Sequence, residues 1–359
     1  MSRENHDSKK SQVQILDATL REGEQQAGVR FSIQEKIQIL QLLEEFQVDL
    51  VEVGHPGISA EDEQICLEVA QAASCIEILM HARANVEEVK AAKRAKADWV
   101  GIWAATNSIA TKTKFVEHDQ DYIDKKIHTA IAEAKNLDLK VRFTIEDASR
   151  TEWEDIEWVG NIALAAGADR LSLADTVGIL EPYTCTSLVS RAVATFGCEI
   201  EVHLHNDFGL ALANALAAVD AGASVIDTSI LGIGERTGIT DLLQFAVILH
   251  QKRGQQYFPL EKIPQLACAV QIATGYQPDE LRPVIGKNAF THTSKYHVQA
   301  VKRDPQSYEV YPPELVGRVR KLEEQRPTIH QPQFPFTASK NLRISRYKSV
   351  NIGKSNSTV

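Results

Sequence analysis

From Val13 onward, short apolar, β-rich runs alternate with longer stretches whose apolar positions recur at helical spacing. The runs predict strands over 13–17, 48–53, 76–80, 99–103, 139–144, 170–173, 199–204 and 225–229. Between them, 32–46, 60–73, 121–137, 152–166, 182–196 and 210–221 predict amphipathic helices. Several of these end at small residues before the next strand, as at Ala166-Gly167-Ala168 and Ala221-Gly222-Ala223. Strand–helix alternation implies a parallel sheet with helical crossovers. Eight such units over about 230 residues fit a closed (β/α)8 TIM barrel. An open doubly wound sheet is the alternative. The turn Asp17–Glu24 after the first strand lacks the glycine spacing that such a sheet uses to bind phosphate.

Past residue 254 the alternation stops. A helix over 260–275, an irregular polar stretch over 277–296 and a short helix near 297–302 are expected there. Prolines and polar residues then dominate to the end. The chain accordingly divides into a disordered lead (1–12), a barrel (13–255), a C-terminal subdomain (256–317) and a basic, proline-containing tail (318–359). From Leu315 onward there are nine Lys or Arg against two acids. A solvated tail is favoured over a basic surface for a phosphorylated cofactor or an acidic partner.

The remaining composition excludes more than it assigns. A net charge of −9 argues against a general nucleic-acid binder. No apolar run reaches membrane-spanning length, and the first ten residues lack the apolar centre of a secretory signal. The five cysteines are scattered, with no Cys-x-x-Cys, which suits reduced thiols in a cytoplasm.

The candidate chemistry gathers at the strand ends, where a barrel of this kind carries its function. His203 and His205 alternate on the seventh strand and so project together. With one carboxylate they make a grip for Mg²⁺, Mn²⁺ or Zn²⁺ that leaves positions open. The alternative is a pair of histidines hydrogen-bonded in a polar barrel mouth. Other strands end in Asp17, Arg21, Glu22 and Gln25, in Glu52 and His55, in His81 and Arg83, and in Arg142, Thr144 and Glu146. The sixth leads into Asp175 and Thr176, and the eighth into the glycine-rich run Gly232–Gly238. So much charge is costly to bury unless it binds something. A metal there would chelate a 2-oxo acid and polarise its carbonyl. Arg21 would stabilise the developing alkoxide or enolate. Arg142, Thr144, Thr176 and His81 would hold a second, remote carboxylate. Read structurally instead, Arg142 pairs with Glu146, and the two threonines fill a barrel layer.

Three separated motifs carry a family resemblance. Asp17-Ala18-Thr19-Leu20-Arg21-Glu22-Gly23-Glu24-Gln25, His203-Leu204-His205-Asn206-Asp207 and Leu231-Gly232-Ile233-Gly234-Glu235-Arg236-Thr237-Gly238 resemble the acyl-CoA-condensing enzymes of the DRE-TIM metallolyase superfamily. Among these, the sequence looks most like the homocitrate synthases of amino-acid biosynthesis. The resemblance implies an acyltransferase that joins the acetyl group of acetyl-CoA to 2-oxoglutarate, with a divalent metal as cofactor. It implies Glu22, His203 and His205 as metal ligands, Arg21 and Gln25 on the keto acid, and His81, Arg142, Thr144 and Thr176 on its distal carboxylate. Glu146 belongs to the same motif and would order the site. Gly232, Gly234 and Glu235 would lie along the coenzyme A arm.

The segment from Ala289 through His297 to Tyr308 resembles the part of the family that enters a neighbouring subunit's barrel. This implies a homodimer with exchanged C-terminal segments, with His297 as the base for the acetyl methyl and Tyr308 beside it. The chain departs from the family pattern at Thr293–Tyr296, where a glycine is usual, and at His55-Pro56. Its fourth strand, ending Gly101-Ile102-Trp103, lacks the aspartate tied to lysine feedback. Isopropylmalate, citramalate and 2-benzylmalate synthases, a lyase on the same scaffold, and a non-catalytic relative remain alternatives.

Overall fold

The computed structural model describes residues 12–113 and 120–323. Eight parallel strands close into a barrel in chain order: β1 (Gln14–Asp17), β2 (Leu50–Gly54), β3 (Glu77–Arg83), β4 (Trp99–Ala104), β5 (Lys140–Ile145), β6 (Arg170–Asp175), β7 (Glu199–Leu204) and β8 (Val225–Thr228). Closure is made by β1 on β8, with Gln14 opposite Val225 and Asp17 opposite Thr228. That closure excludes the open sheet. Strands β3 and β6 run on to Arg83 and Asp175, past the ends read from the sequence. The polar residues there look like loop in a hydropathy pattern, yet they continue the ladder, with His81 opposite Gly101 and Asp175 opposite Leu204.

Helices fill the crossovers: α1 (Ile33–Glu45), α2 (Ala60–Ala72), α3 (Val86–Arg94), α4 (Ser108–Thr113), α5 (Gln120–Asn136), α6 (Trp153–Ala166), α7 (Pro182–Phe196), α8 (Ala211–Asp220) and α9 (Leu242–Arg253). The first of these starts at a capping box, in which Ser32 and Glu35 exchange side-chain and backbone hydrogen bonds. Outward strand residues such as Ile15, Val51, Ile78, Phe143, Ile200 and Val202 share one continuous apolar core with the helices. The barrel interior differs. Leu16, Leu50, Leu79, Trp99 and Val225 form a small separate apolar cluster. Beside it lie buried charges, Glu52, Arg142, Arg170, Glu201 and Asp227.

Arg170 ties this interior together. Its guanidinium bonds Glu199 at 2.9 Å and Glu201 at 3.1 Å, and lies 4.5 Å from the centre of the Trp99 ring. A buried charge is tolerated when its partners surround it.

Beyond the barrel, α10 (Ile263–Thr274) and α11 (Lys295–Arg303) carry the C-terminal segment. Two short strands, β9 (Thr291–His292) and β10 (Lys321–Leu322), pair in parallel. Arg320 clamps Glu309 through two hydrogen bonds of 2.6 and 2.7 Å. Residues 318–323 therefore pack with the segment before the expected boundary at 317. The boundary at 317 follows the point where the family resemblance fades, but Arg318 and Arg320 beyond it have carbonyl and carboxylate partners. The lead up to residue 11, and the tail from residue 324, lie outside the described residues.

Arg170→Ala should destabilise the fold by about 3 kcal/mol, because it takes from the buried Glu201 one of its two arginine partners. Denaturant unfolding would measure it, and a loss near zero would contradict the assigned role.

Candidate active site

The turn after β1 places the first group. Glu22 N–H donates to the Ala18 carbonyl at 2.7 Å, and Gly23–Gln25 continue as one 3₁₀ turn. This carries the Glu22 side chain over the mouth, where it is 1% exposed. His203 and His205 reach the same space from β7 and the residue after it, their ring centres 5.0 Å apart. One ligand atom from each of Glu22, His203 and His205 falls within 4.8 Å of the others. His203 Nε2 is 3.9 Å from Glu22 Oε2, and His205 Nε2 is 4.0 Å from Glu22 Oε1.

The electrostatics suit a cation. Asp227 on β8 engages His203 Nδ1 at 2.9 Å, which leaves Nε2 to face Glu22. Burial and the neighbouring His203 push His205 down to about 4, so it is neutral at ordinary pH. Burial opposes ionisation of Glu22, but Arg21 and both histidines outweigh it and hold the carboxyl below its usual range. One carboxylate and two imidazoles, converging and buried, are a donor set that fits a divalent ion. Gln25 lies against the same carboxylate, its amide placed to donate to Glu22 Oε2 at 3.0 Å.

Arg21 bridges two acids. It pairs with Glu22 on one side and with Glu52 on the other, the latter at 2.6 Å. Glu52 is the centre of this part of the site. Its second oxygen accepts from Arg142 at 2.7 Å and meets His81 Nδ1 at 2.9 Å. Burial alone would raise the Glu52 carboxyl, but Arg21, Arg142 and His81 together hold it well below the carboxylate range. His81 is itself pushed down to about 4, mainly by burial.

Arg142 is 1% exposed. Besides Glu52, it reaches Glu201 at 3.3 Å and Thr144 Oγ1 at 3.0 Å. The pairing with Glu146 entertained from the sequence gives way to Glu52 and Glu201. In a β-strand Arg142 points inward, and those two acids share the interior with it. Gly101 makes this possible: a Cβ there would lie 2.8 Å from Arg142 Nη2. Glu146 is half-buried at the end of β5, its N–H donating to the Ala104 carbonyl at 2.9 Å. The Thr176 hydroxyl accepts from Asp147 N–H at 2.8 Å.

The loop after β8 closes the mouth from the other side. Glu235 N–H donates to Glu22 Oε1 at 3.0 Å. A Cβ on Gly234 would lie 3.0 Å from Glu22 Cγ, and one on Gly238 would lie 1.8 Å from the Gly232 carbonyl oxygen. Gly238, at φ +82°, admits no side chain, and at Gly234 any Cβ would press on Glu22. The loop borders a cavity of about 470 Å³ that also takes in Asn206, Arg236, Asp241, Tyr276 and Arg282. His297 and Tyr308 are elsewhere. They stack on each other at 3.9 Å on the exposed side of the C-terminal segment and do not border that cavity.

Sequence reasoning placed Glu52 among the strand-end charges without giving it a role, and passed over Glu201 and Asp227 as members of the site. Their signal was present: each is an acid inside a β-rich run, and Glu201 precedes His203 at the same alternation.

Comparison with known proteins agrees with this architecture. Residues 12–270 match the family described as HMGL-like, and residues 284–328 match the homocitrate synthase post-HMGL domain. The homocitrate synthase of Pyrococcus abyssi is 39% identical over 308 residues, which cover 86% of this chain and 85% of that one. The homocitrate synthase of Sulfurisphaera tokodaii is 39% identical over 313 residues, 86% of this chain and 68% of that one. Among solved structures, the HMG-CoA lyase of Bacillus subtilis superposes with a TM-score of 0.66 at 18% identity, covering 74% of this chain and 94% of the lyase. That likeness concerns the fold.

The chain belongs to the HMGL-like family of barrel enzymes and, within it, to the homocitrate synthase group. It is an enzyme of the acyl-transferring, condensing type.

One prediction follows from Asp17, which burial pushes up to about 7. In the folded protein it holds its proton where the unfolded chain has lost it, so stability falls as pH rises from about 4 to about 7. Asp17→Asn should flatten that decline in thermal melts. A variant that declines as steeply as the parent would refute the assignment.

Proposed function

We propose that this chain condenses the acetyl group of acetyl-CoA with the carbonyl carbon of a 2-oxo acid, releasing CoA after thioester hydrolysis. The observation that carries the reading is the convergence of Glu22, His203 and His205 on one buried point beside Arg21. A divalent ion held by these three, Mg²⁺, Mn²⁺ or Zn²⁺, would supply Lewis-acid polarisation of the keto oxygen. Arg21, fixed between Glu22 and Glu52, offers its guanidinium to the oxygen that gains charge. Gln25 orients the acid from the same turn. Asp227 holds the His203 ring so that Nε2 faces the centre.

The acetyl methyl must lose a proton, and we assign this to His297, supported by the Tyr308 ring stacked on it. Both residues serve a partner copy's barrel in this account, so the working form is a homodimer with exchanged C-terminal segments. The loop carrying Gly232, Gly234 and Glu235 borders the cavity of about 470 Å³, which we assign to the coenzyme A arm. The retained 284–328 segment favours condensation over the lyase alternative. The five cysteines are free thiols, and we place the reaction in the cytoplasm.

The name of the relatives makes 2-oxoglutarate the first candidate acid, with His81, Arg142, Thr144 and Thr176 on its distal carboxylate. One observation favours a second reading, an acid with an apolar side chain: Arg142 is already neutralised by Glu52 and Glu201.

His203→Ala should abolish both Mn²⁺ binding by calorimetry and metal-dependent CoA release, with circular dichroism unchanged. Retained activity would end the assignment. Mixing refolded His203→Ala and His297→Ala chains, each inactive alone, should restore about a quarter of wild-type activity, since half the dimers then hold one intact site. No restoration would argue against exchange. Arg142→Ala should cost comparable factors with 2-oxoglutarate and 2-oxoisovalerate if Arg142 is an interior counter-ion. A loss confined to 2-oxoglutarate would return the distal carboxylate to Arg142.

A further inference from the structure

A second cavity, of about 210 Å³, opens beside Arg21 and Gln25 on the side away from the glycine-rich loop. It runs between β2 and α2. Phe31, Ile58, Ile65 and Cys66 give it an apolar wall, and His55 and His81 flank it. Gly54 keeps the β2 side clear: a Cβ there would come within 3.0 Å of Cys66 Sγ. A 2-oxo acid whose keto group lies between Arg21 and the Glu22–His203–His205 point can send its side chain into this space.

The basic side chains around the cavity all have acidic partners. Arg21 is held by Glu22 and Glu52. Lys36 donates to Glu24 at 2.8 Å and to the Leu20 and Val53 carbonyls at 2.7 and 3.1 Å. Arg30 faces Glu61 at 3.3 Å. His55 meets Glu88 at 2.7 Å, and His81 meets Glu52 at 2.9 Å. Arg142, beneath, is closed off by Glu52 and Glu201. A second carboxylate brought here would lose water and gain no unmatched cation, and that is a large penalty. An uncharged side chain would give up little. The flat surfaces available favour a ring: the His55 and His81 rings both line the cavity and meet edge-on at 5.7 Å.

We infer that the 2-oxo acid accepted by this enzyme carries a single carboxylate and an uncharged, apolar side chain, which lodges in the cavity between β2 and α2. The inference rests on the condensation reading for its chemistry, but the choice of acid can be read without turnover. Ile58, Ile65 and Phe31 become specificity-determining residues, and the acidic partners of Arg142 set the selection against a distal charge.

The test uses the full-length, Mn²⁺-loaded protein and three acids: phenylpyruvate, 2-oxoisovalerate and 2-oxoglutarate. CoA release gives kcat/KM for each, and calorimetry without acetyl-CoA gives the affinity of each. Phenylpyruvate or 2-oxoisovalerate should exceed 2-oxoglutarate by at least about tenfold in both measures. A preference for 2-oxoglutarate in either measure overturns the inference. If no acid releases CoA while the apolar acids still bind more tightly, the condensation reading fails and the selection stands; if none binds, both fail. Ile65→Phe, which fills the cavity, should raise KM for phenylpyruvate far more than for pyruvate. Equal effects on the two would mean that the side chain lies elsewhere.

Discussion

The Glu52 carboxylate, buried between Arg21 and Arg142, is the interaction on which the rest of this site depends. One oxygen faces Arg21 and the other faces Arg142 and His81. Two guanidinium groups this close within a barrel would repel and would each be expensive to desolvate. With Glu52 between them, and with Glu22 and Glu201 on their outer sides, they become a rigid, charge-compensated unit. Arg21 can then lie across Glu22 without carrying net charge into the interior. Glu22 in turn stays ionised and aimed at His203 and His205.

A closed barrel makes this arrangement affordable. Parallel strands bury both of their faces, and the outer one is satisfied by helices. The inner face has room for only a small apolar cluster around Trp99, and above it the charges compensate one another from strand to strand. Glu201 serves two arginines, Arg170 below and Arg142 above. Removing any member leaves a buried charge, so the network fixes the mouth residues in place as much as any backbone turn does. The lyases that share this barrel show that the scaffold does not choose the reaction. What distinguishes this chain is the C-terminal segment after α10, with its β9–β10 pair and the stacked His297 and Tyr308.

Much of this was legible in the residues. The alternation of apolar runs and amphipathic segments gives eight strands and a closed barrel because parallel strands and crossover helices have distinct periods. The His203–His205 alternation gives a shared direction, and the structure brings Glu22 to it from a different strand. Pairing across the barrel was less legible. Arg142 and Glu146 share a face of one strand, so the sequence offers them as partners. The actual partners, Glu52 and Glu201, come from β2 and β7, and no local spacing reveals that. Nor does hydropathy separate an arginine that binds a substrate from one that neutralises two acids. The fold of residues 318–323 was hidden for a similar reason: their positive charge reads as tail until Glu309 is seen opposite Arg320.

The central claim is that Glu22, His203 and His205 together hold a divalent ion. The most direct test is an anomalous difference map from crystals of the full chain soaked in Mn²⁺, with data collected at the manganese edge. One strong peak per chain is expected, within bonding distance of Glu22 and of Nε2 of both histidines, and it should be lost in His205→Ala. A map with no peak there, or with its main peak at another cluster, would contradict it.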